Sequence, residues 1–179
     1  LPPGTLDRLL ALAVLAPSVG LSEPWRFVEV CDPHRRAAVR EEFAACNADA
    51  LAAQAPADRA SYAVLKLEGL DRAPCQLAVF ADADPSQGRG LGRRTMPDTA
   101  AWSAVLALHT LWLAARAEGI GLGWISILRP ERVAVILDTP PAWRLVAYCC
   151  LGFPEREHDA PELERLGWER RHPPVLLRR

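Results

Sequence analysis

Hydrophobic residues in the first third of the chain change from a helical spacing to a short continuous run. Apolar side chains recur three or four positions apart over residues 6–15, which predicts an amphipathic helix. The apolar run over residues 25–31 predicts a strand. Asp32 and Pro33 suit the N-cap and the first turn of a second helix. A polar, alanine-rich stretch over residues 47–60 follows, and we expect it to be mobile and able to cover a site.

The next part of the chain places two short apolar elements before a glycine-rich segment. Residues 65–70 predict a short helix, and residues 75–81 predict a buried strand. Residues 82–95 contain three glycines and three arginines, which indicates a loop.

The strongest helical pattern runs from Pro97 to about Glu118, and it is apolar on nearly every face. Its large apolar residues are Trp102, Val105, Leu106, Leu108, Leu111, Trp112 and Leu113. A helix that is apolar all round must be buried on all sides. In so small a domain a partner subunit is a natural way to bury it, so this helix predicts a homodimer.

Two strands and one short helix complete the pattern. Residues 122–128 and 145–152 predict the strands, and residues 130–137 predict the helix between them. Helices and strands are mixed without regular alternation, which indicates the α+β class. Linkers and internal repeats are absent from the sequence, so residues 1–179 are expected to form one domain.

Composition and charge exclude several kinds of partner. Hydrophobic residues make up 50% of the 179 residues and the net charge is −1, so neither nucleic acid nor a membrane surface is an expected partner. The sequence has no apolar run of membrane-spanning length and no signal peptide. Its five cysteines lack metal-ligand spacing, so we expect reduced, buried thiols in a cytoplasmic protein and no metal site.

A short polar segment between the first predicted helix and strand is the most informative feature of the sequence. It contains Pro17, Ser18, Gly20, Ser22 and Pro24. These residues predict a rigid turn whose backbone amides point outward, toward an anionic or acceptor-rich ligand. An ordinary connection between a helix and a strand is the alternative.

Four short motifs, taken in order and spacing, give this chain a resemblance to the nitroreductase-like flavoproteins. They are Pro17-Ser18-Val19-Gly20, Leu65-Lys66-Leu67-Glu68-Gly69 followed by Ala73-Pro74, Leu91-Gly92-Arg93, and Gly123-Trp124-Ile125-Ser126. The resemblance covers residues 6–171, and within the family it points to the enzymes that fragment a flavin aerobically for the lower ligand of cobalamin. It implies a central, mainly antiparallel sheet flanked by helices, and a homodimer built on the long helix with FMN sites at the interface.

The resemblance also implies an activity. Reduced FMN would be the substrate and dioxygen the co-substrate, with 5,6-dimethylbenzimidazole and erythrose 4-phosphate as products. A separate flavin reductase would supply the FMNH2. Two alternatives remain open: an NAD(P)H-dependent nitroreductase or dehalogenase that recycles its FMN, and a non-catalytic flavin-binding protein.

The resemblance assigns roles to several residues in the first and last motifs. Pro17, Ser18 and Gly20 are expected to line the FMN. Reductases of the family carry an asparagine at the position of Leu21, which cannot form the same hydrogen bond to the ring. Ser126 is expected to be catalytic, because its hydroxyl can both donate to and accept from the flavin. A structural serine at a strand end is the alternative for Ser126.

Four further residues are candidates for binding the flavin. Lys66 and Leu67 are expected near the flavin tail and a covering lid, although a solvated position on a short helix suits Lys66 equally well. Arg93 and Arg171 are expected at the FMN phosphate. The catalytic aspartate of the family lies in an arginine-flanked, phosphate-binding element upstream of the first helix, and we expect this chain to begin after it.

Overall fold

The computed structural model describes residues 1–65 and 69–179. The helices in this part are α1 (Thr5–Ala13), α2 (Pro33–Ala53), α3 (Arg59–Ala63), α4 (Gly69–Arg72), α5 (Thr99–Ala117), α6 (Pro130–Leu137) and α7 (Glu162–Arg165). The strands are β1 (Trp25–Glu29), β2 (Cys75–Asp82), β3 (Gly121–Ile125) and β4 (Trp143–Gly152), and a 3-10 turn covers Val19–Leu21. This mixture confirms the α+β class.

The start of α2 follows the sequence prediction, but its end does not. The Asp32 carboxylate accepts a hydrogen bond from the backbone N–H of His34 at 2.8 Å, and Pro33 occupies the first turn. The stretch expected to be mobile is instead helical as far as Ala53, and α3 follows within it. Alanine favours helix more than any other residue, so this alanine-rich stretch continues α2.

The four described strands form one antiparallel sheet in the order β1-β2-β4-β3. The pairing of β2 with β4 is central, and β1 and β3 are the two edge strands. Trp25 pairs with Ala81 at one edge, and Ile125 pairs with Tyr148 at the other. The expectation of a central, mainly antiparallel sheet is therefore confirmed.

Helices cover both faces of this sheet. Successive residues of β2 point to opposite faces, so they pack alternately against the two layers of helices. Leu77 and Val79 pack in the core beneath α1 and α5. Ala78 and Phe80 pack in a second core beneath α2 and α6. The central strands are therefore buried on both sides, and the loops at the sheet edges rest on a rigid support.

The long helix α5 is buried on one face only within a single chain. Ala104, Ala107 and Leu111 are fully buried against the sheet, where the two alanines allow close approach. A single chain therefore does not bury this helix on all sides, and its burial by a partner subunit stays a prediction. Four of its large apolar residues are 43–50% exposed, namely Trp102, Leu106, Trp112 and Leu113. We call these four residues the α5 stripe.

Candidate functional site

Side-chain hydroxyls hold the turn that precedes β1 in place. The Ser18 hydroxyl accepts a hydrogen bond from the backbone N–H of Glu23 at 3.1 Å. The Ser103 hydroxyl on α5 accepts from the N–H of Val19 at 3.0 Å, and it donates to the carbonyl of Thr99 at 2.7 Å. The turn is therefore fastened both to itself and to the start of α5.

These bonds correct the expectation that the amides of the turn point outward. The N–H groups of Leu21 and Ser22 donate to the carbonyls of Ser18 and Val19. Together with those of Val19 and Glu23, four amides of the turn are satisfied within the protein. Serine hydroxyls and short turns compete for such donors, so composition alone did not show where the amides point.

The turn packs closely against the glycine-rich loop of residues 87–92. A Cβ atom added to Gly20 would lie 2.9 Å from the Cβ of Leu91, and one added to Gly92 would lie 2.8 Å from a methyl of Val19. Gln87 donates from Nε2 to the Leu21 carbonyl at 2.7 Å. The first and third sequence motifs are thus brought together, and they border a groove of about 630 Å³, a volume typical of small-molecule sites.

Backbone strain is concentrated in the same turn. Leu21 and Glu23 have positive φ angles of 55° and 42°, in a region that residues other than glycine rarely occupy. Gly20, between Val19 and Leu21, has a φ of 55° as well. Such strain persists where the surrounding structure enforces it, often at ligand-binding sites. The Leu21 side chain is consequently held outward and is 69% exposed.

Arg93 lies at the far side of this loop, with its side chain only 14% exposed. Its guanidinium lies 3.3 Å from the Asp84 carboxylate and donates to the Pro85 carbonyl at 3.1 Å. The Nε atom of Arg93 is buried without a hydrogen-bond partner within residues 1–65 and 69–179. The structure therefore places Arg93 directly after the loop that borders the groove, with its guanidinium engaged by Asp84 and Pro85, and its role at a phosphate stays a prediction.

Ser126 is exposed, at the opposite edge of the sheet from the turn. It directly follows β3, which ends three residues before the predicted end of this strand. Neighbouring strands lie about 4.8 Å apart, so β1 and β3 are separated by roughly 14 Å. One chain therefore does not bring Ser126 together with Pro17, Ser18 and Gly20.

Arg171 lies in the exposed C-terminal segment, beyond α7. The preceding Trp168 packs edge-to-face on Tyr62 of α3, with ring centroids 6.0 Å apart. Tyr62 in turn donates its hydroxyl to Asn47 of α2 at 2.8 Å. The tail is thus anchored three residues before Arg171. Lys66 and Leu67 lie outside the described residues, so their expected roles stay predictions.

Sequence reasoning missed an ion pair close to Ser126. Arg129, at the N-cap of α6, donates from both Nε and Nη2 to the Glu42 carboxylate of α2, at 2.5 and 2.9 Å. Cys46 donates to the same carboxylate at 3.3 Å. The hydrogen bond from Arg129 is the main cause that lowers the pKa of Glu42 to about 2, against the opposing effect of burial. The one signal in the sequence was an acidic residue beside Val39 and Phe43, on the apolar face of α2.

A family model and several known proteins match this chain over most of its length. The model of the nitroreductase family matches residues 1–153. The 5,6-dimethylbenzimidazole synthase of Rhodospirillum rubrum is 56% identical over 175 residues, which cover 98% of this chain and 83% of that protein. A synthase of the same name from Rhodobacter capsulatus is 49% identical over 174 residues, covering 97% and 84%. An NADH dehydrogenase of Thermus thermophilus is 33% identical over 165 residues, covering 87% and 78%.

Solved structures share the fold at low sequence identity. Oxidised iodotyrosine deiodinase bound to FMN and 3-iodo-L-tyrosine has a TM-score of 0.77 at 21% identity, covering 99% of this chain and 88% of that one. A BluB-like flavoprotein from Clostridium difficile 630 has a TM-score of 0.67 at 17% identity, covering 90% and 85%. These likenesses confirm the predicted nitroreductase-like fold.

The contact between turn and loop predicts different effects for two neighbouring glycines. In Gly88→Ala the new Cβ would lie 2.8 Å from the Gly20 carbonyl, whereas the Cβ in Gly90→Ala meets no atom within 4 Å. The φ angles of Gly88 and Gly90 are 80° and 74°, so both variants carry a backbone cost of about 1–2 kcal/mol. Gly88→Ala should lose roughly 1–3 kcal/mol more through overpacking, measured by chemical unfolding. Equal losses in the two variants would contradict the packing described.

Proposed function

Since the chain belongs to the nitroreductase family, we propose that it catalyses the oxygen-dependent fragmentation of reduced FMN. The products are 5,6-dimethylbenzimidazole, the lower ligand of cobalamin, and erythrose 4-phosphate. The observation that carries this proposal is the identity of 49–56% to two 5,6-dimethylbenzimidazole synthases over nearly the whole chain. The site described above supports it through its rigid turn, its neighbouring loop and its exposed serine.

The turn and the glycine-rich loop suit one side of a flavin. They pack so closely that their shape is set before any ligand arrives, which lowers the cost of ordering on binding. Leu21 and Leu91 are 69% and 71% exposed, and they offer apolar surface to a planar ring. We assign Pro17, Ser18 and Gly20 to this contact.

The phosphate end of FMN requires positive charge. We assign it to Arg171 of the C-terminal segment and to Arg93, with Lys66 and Leu67 near the flavin tail. A guanidinium binds phosphate oxygens through directed, charge-assisted hydrogen bonds. Trp168 restricts the region that Arg171 can reach, because it is anchored on Tyr62.

A complete site requires two copies of the chain. The turn and Ser126 lie at opposite sheet edges, too far apart to meet around one flavin ring. The α5 stripe leaves a large apolar area open, and such areas mark interfaces between proteins. A homodimer that covers the α5 stripe would place the turn of one chain near Ser126 of its partner, so that both subunits contact each FMN.

Ser126 is the residue that we place at the reacting edge of the flavin. Reduced FMN supplies the electrons for the reaction with dioxygen. The Ser126 hydroxyl can hydrogen-bond the ring as donor or acceptor, and its exposed position after β3 leaves it free to do so. The surrounding protein excludes bulk water once the partner chain is in place.

A recycling flavin reductase is the second candidate, and the likeness to an NADH dehydrogenase favours it. Both candidates share the fold, so only chemistry separates them. The deciding experiment mixes the full-length protein with chemically reduced FMN, admits air and measures products by mass spectrometry. Formation of 5,6-dimethylbenzimidazole supports the proposal. Steady oxidation of NAD(P)H with a nitroaromatic acceptor, and intact FMN as the only flavin product, would refute it.

The role of Ser126 predicts that Ser126→Gly separates binding from chemistry. FMN should still bind, because its phosphate and ring contacts lie elsewhere. The yield of 5,6-dimethylbenzimidazole should fall by roughly 10²-fold or more, while FMNH2 oxidises in air to intact FMN, since the lost contact acts late in the reaction. Ser126→Thr keeps a hydroxyl and should retain part of the yield. An unchanged yield in Ser126→Gly would show that this serine is structural.

The assignment of Arg171 predicts a loss that depends on the ligand's phosphate. A hydrogen bond to a charged group contributes roughly 1.5–3 kcal/mol, so Arg171→Ala should weaken FMN binding by about one to two decades. Riboflavin lacks the phosphate and should bind almost as well as to the unaltered chain. Arg178→Ala, in the same tail, is the matched control. Equal losses for FMN and riboflavin, measured by fluorescence titration, would be evidence against the assignment.

The dimer predicts distinct effects for two exposed apolar residues. Leu113 of the α5 stripe is 50% exposed, and Val135 of α6 is 70% exposed. Leu113→Glu should shift the protein to a monomer that binds FMN poorly, because a charge is buried in the interface. Val135→Glu should remain dimeric. Sedimentation at micromolar concentration measures both, and a stable monomer of the unaltered chain that binds flavin would overturn the dimer.

A further inference from the structure

We infer that the Glu42–Arg129 ion pair is a positioning device for Ser126, and that it fixes the segment between β3 and α6 in the geometry the reaction needs. This inference rests on the proposed function. Neither Glu42 nor Arg129 contacts the flavin in the proposed function. Both act through the backbone that carries the serine.

The ion pair joins two elements that the fold brings together on one face of the sheet. Glu42 lies on α2 and Arg129 precedes α6, 87 positions later in the chain. Both guanidinium-to-carboxylate bonds are short, and their two-point geometry fixes direction as well as distance. Arg132, with its Nε atom 3.8 Å from the second carboxylate oxygen, adds a weaker contact from the first turn of α6.

The segment that carries Ser126 is held at both of its ends. On one side Ile125 is paired with Tyr148 in the sheet. On the other side Arg129 follows Ser126 by three residues, so the Cα atoms of Ser126 and Arg129 are at most about 11 Å apart. Ile127 and Leu128 pack into the core beneath α2 and α6, while Ser126 is exposed. Fixed ends and partly buried neighbours thus leave few positions for the serine hydroxyl.

Stability alone does not account for a carboxylate at this place. The Glu42 side chain is only 5% exposed, so burial of its charge is costly, whereas the Arg129 side chain that pairs with it is 54% exposed. An apolar pair of similar volume often stabilises a protein as well as a buried ion pair does. What an apolar pair lacks is the directed, two-point bond. Precise placement of the segment that starts with Ser126 is the property that the ion pair adds.

The test compares variants that remove direction but retain packing. In Glu42→Leu/Arg129→Met the two-point bond is replaced by apolar contact, and in Arg129→Lys the charge stays but the two-point bond is lost. A single misplacement near the reaction can cost about 10²-fold in rate, so we expect the yield of 5,6-dimethylbenzimidazole per FMNH2 oxidised to fall at least about tenfold in both. FMN affinity should change by less than about threefold, because the flavin contacts assigned above are unaltered.

A second measurement does not need flavin. Amide hydrogen exchange in the flavin-free full chain should become faster in the peptide that contains residues 124–129, while peptides of β2 and β4 stay as protected as before. Arg35→Gln is the matched control. It removes another bond between α2 and the α6 region, from Arg35 Nη1 to the Ile136 carbonyl at 2.7 Å, at the end of α6 far from Ser126. It should leave both the yield and the exchange of residues 124–129 unchanged.

The outcomes separate the two proposals. If the unaltered full-length protein forms no 5,6-dimethylbenzimidazole, the proposed function fails, and this inference fails with it. If the unaltered chain forms the product and the yield from Glu42→Leu/Arg129→Met equals it, the positioning role alone is wrong. Faster exchange at residues 124–129 with reduced yield supports the role. Equal losses in Arg35→Gln would show only a general loosening of α2, and would also overturn the inference.

Discussion

The antiparallel pairing of β2 with β4 is the constraint on which the rest of the structure depends. Both strands are buried on both faces, so their side chains alternate between two separate cores. A slip of one residue would exchange the contents of these cores. The register of this pair therefore fixes where α1 and α5 lie on one side and where α2 and α6 lie on the other. The turn before β1 and the segment after β3 are both set by that register.

In the proposed function the chemistry lies at the edges of the sheet, because packed side chains fill the space around the central strands. Tyr148 donates its hydroxyl to Gln76 at 2.7 Å inside the second core, and burial raises the pKa of this phenol. Burial likewise raises the pKa of the Cys149 and Cys150 thiols to about 12, which keeps them protonated and unreactive. Ser126 and Arg171 are exposed, and both lie beyond the strand ends. In the proposed function the central strands support the site without contributing reactive side chains to it.

Local chemistry allowed much of the fold to be predicted. The bounds of α6 agree with the prediction to the residue, because Pro130 starts the helix and Leu137 ends its apolar pattern. The N-cap at Asp32 was also predicted, because a capping aspartate directly precedes a proline that suits the first turn of a helix. The Glu42–Arg129 pair was missed because its partners are 87 positions apart and no local pattern links them. The residues on the exposed face of α5 could not be told from those on its buried face, because the helix is apolar on nearly every face.

The position of the turn and Ser126 at opposite sheet edges has a genetic meaning in the proposed dimer. Each site draws its turn from one copy and its serine from the other. A chain defective only in the turn and a chain defective only at Ser126 would each be inactive as homodimers. A mixed dimer of the two contains one site with both defects and one site with neither. Two such alleles would therefore complement each other within one cell. Each mixed dimer would have up to half of the activity of an unaltered dimer.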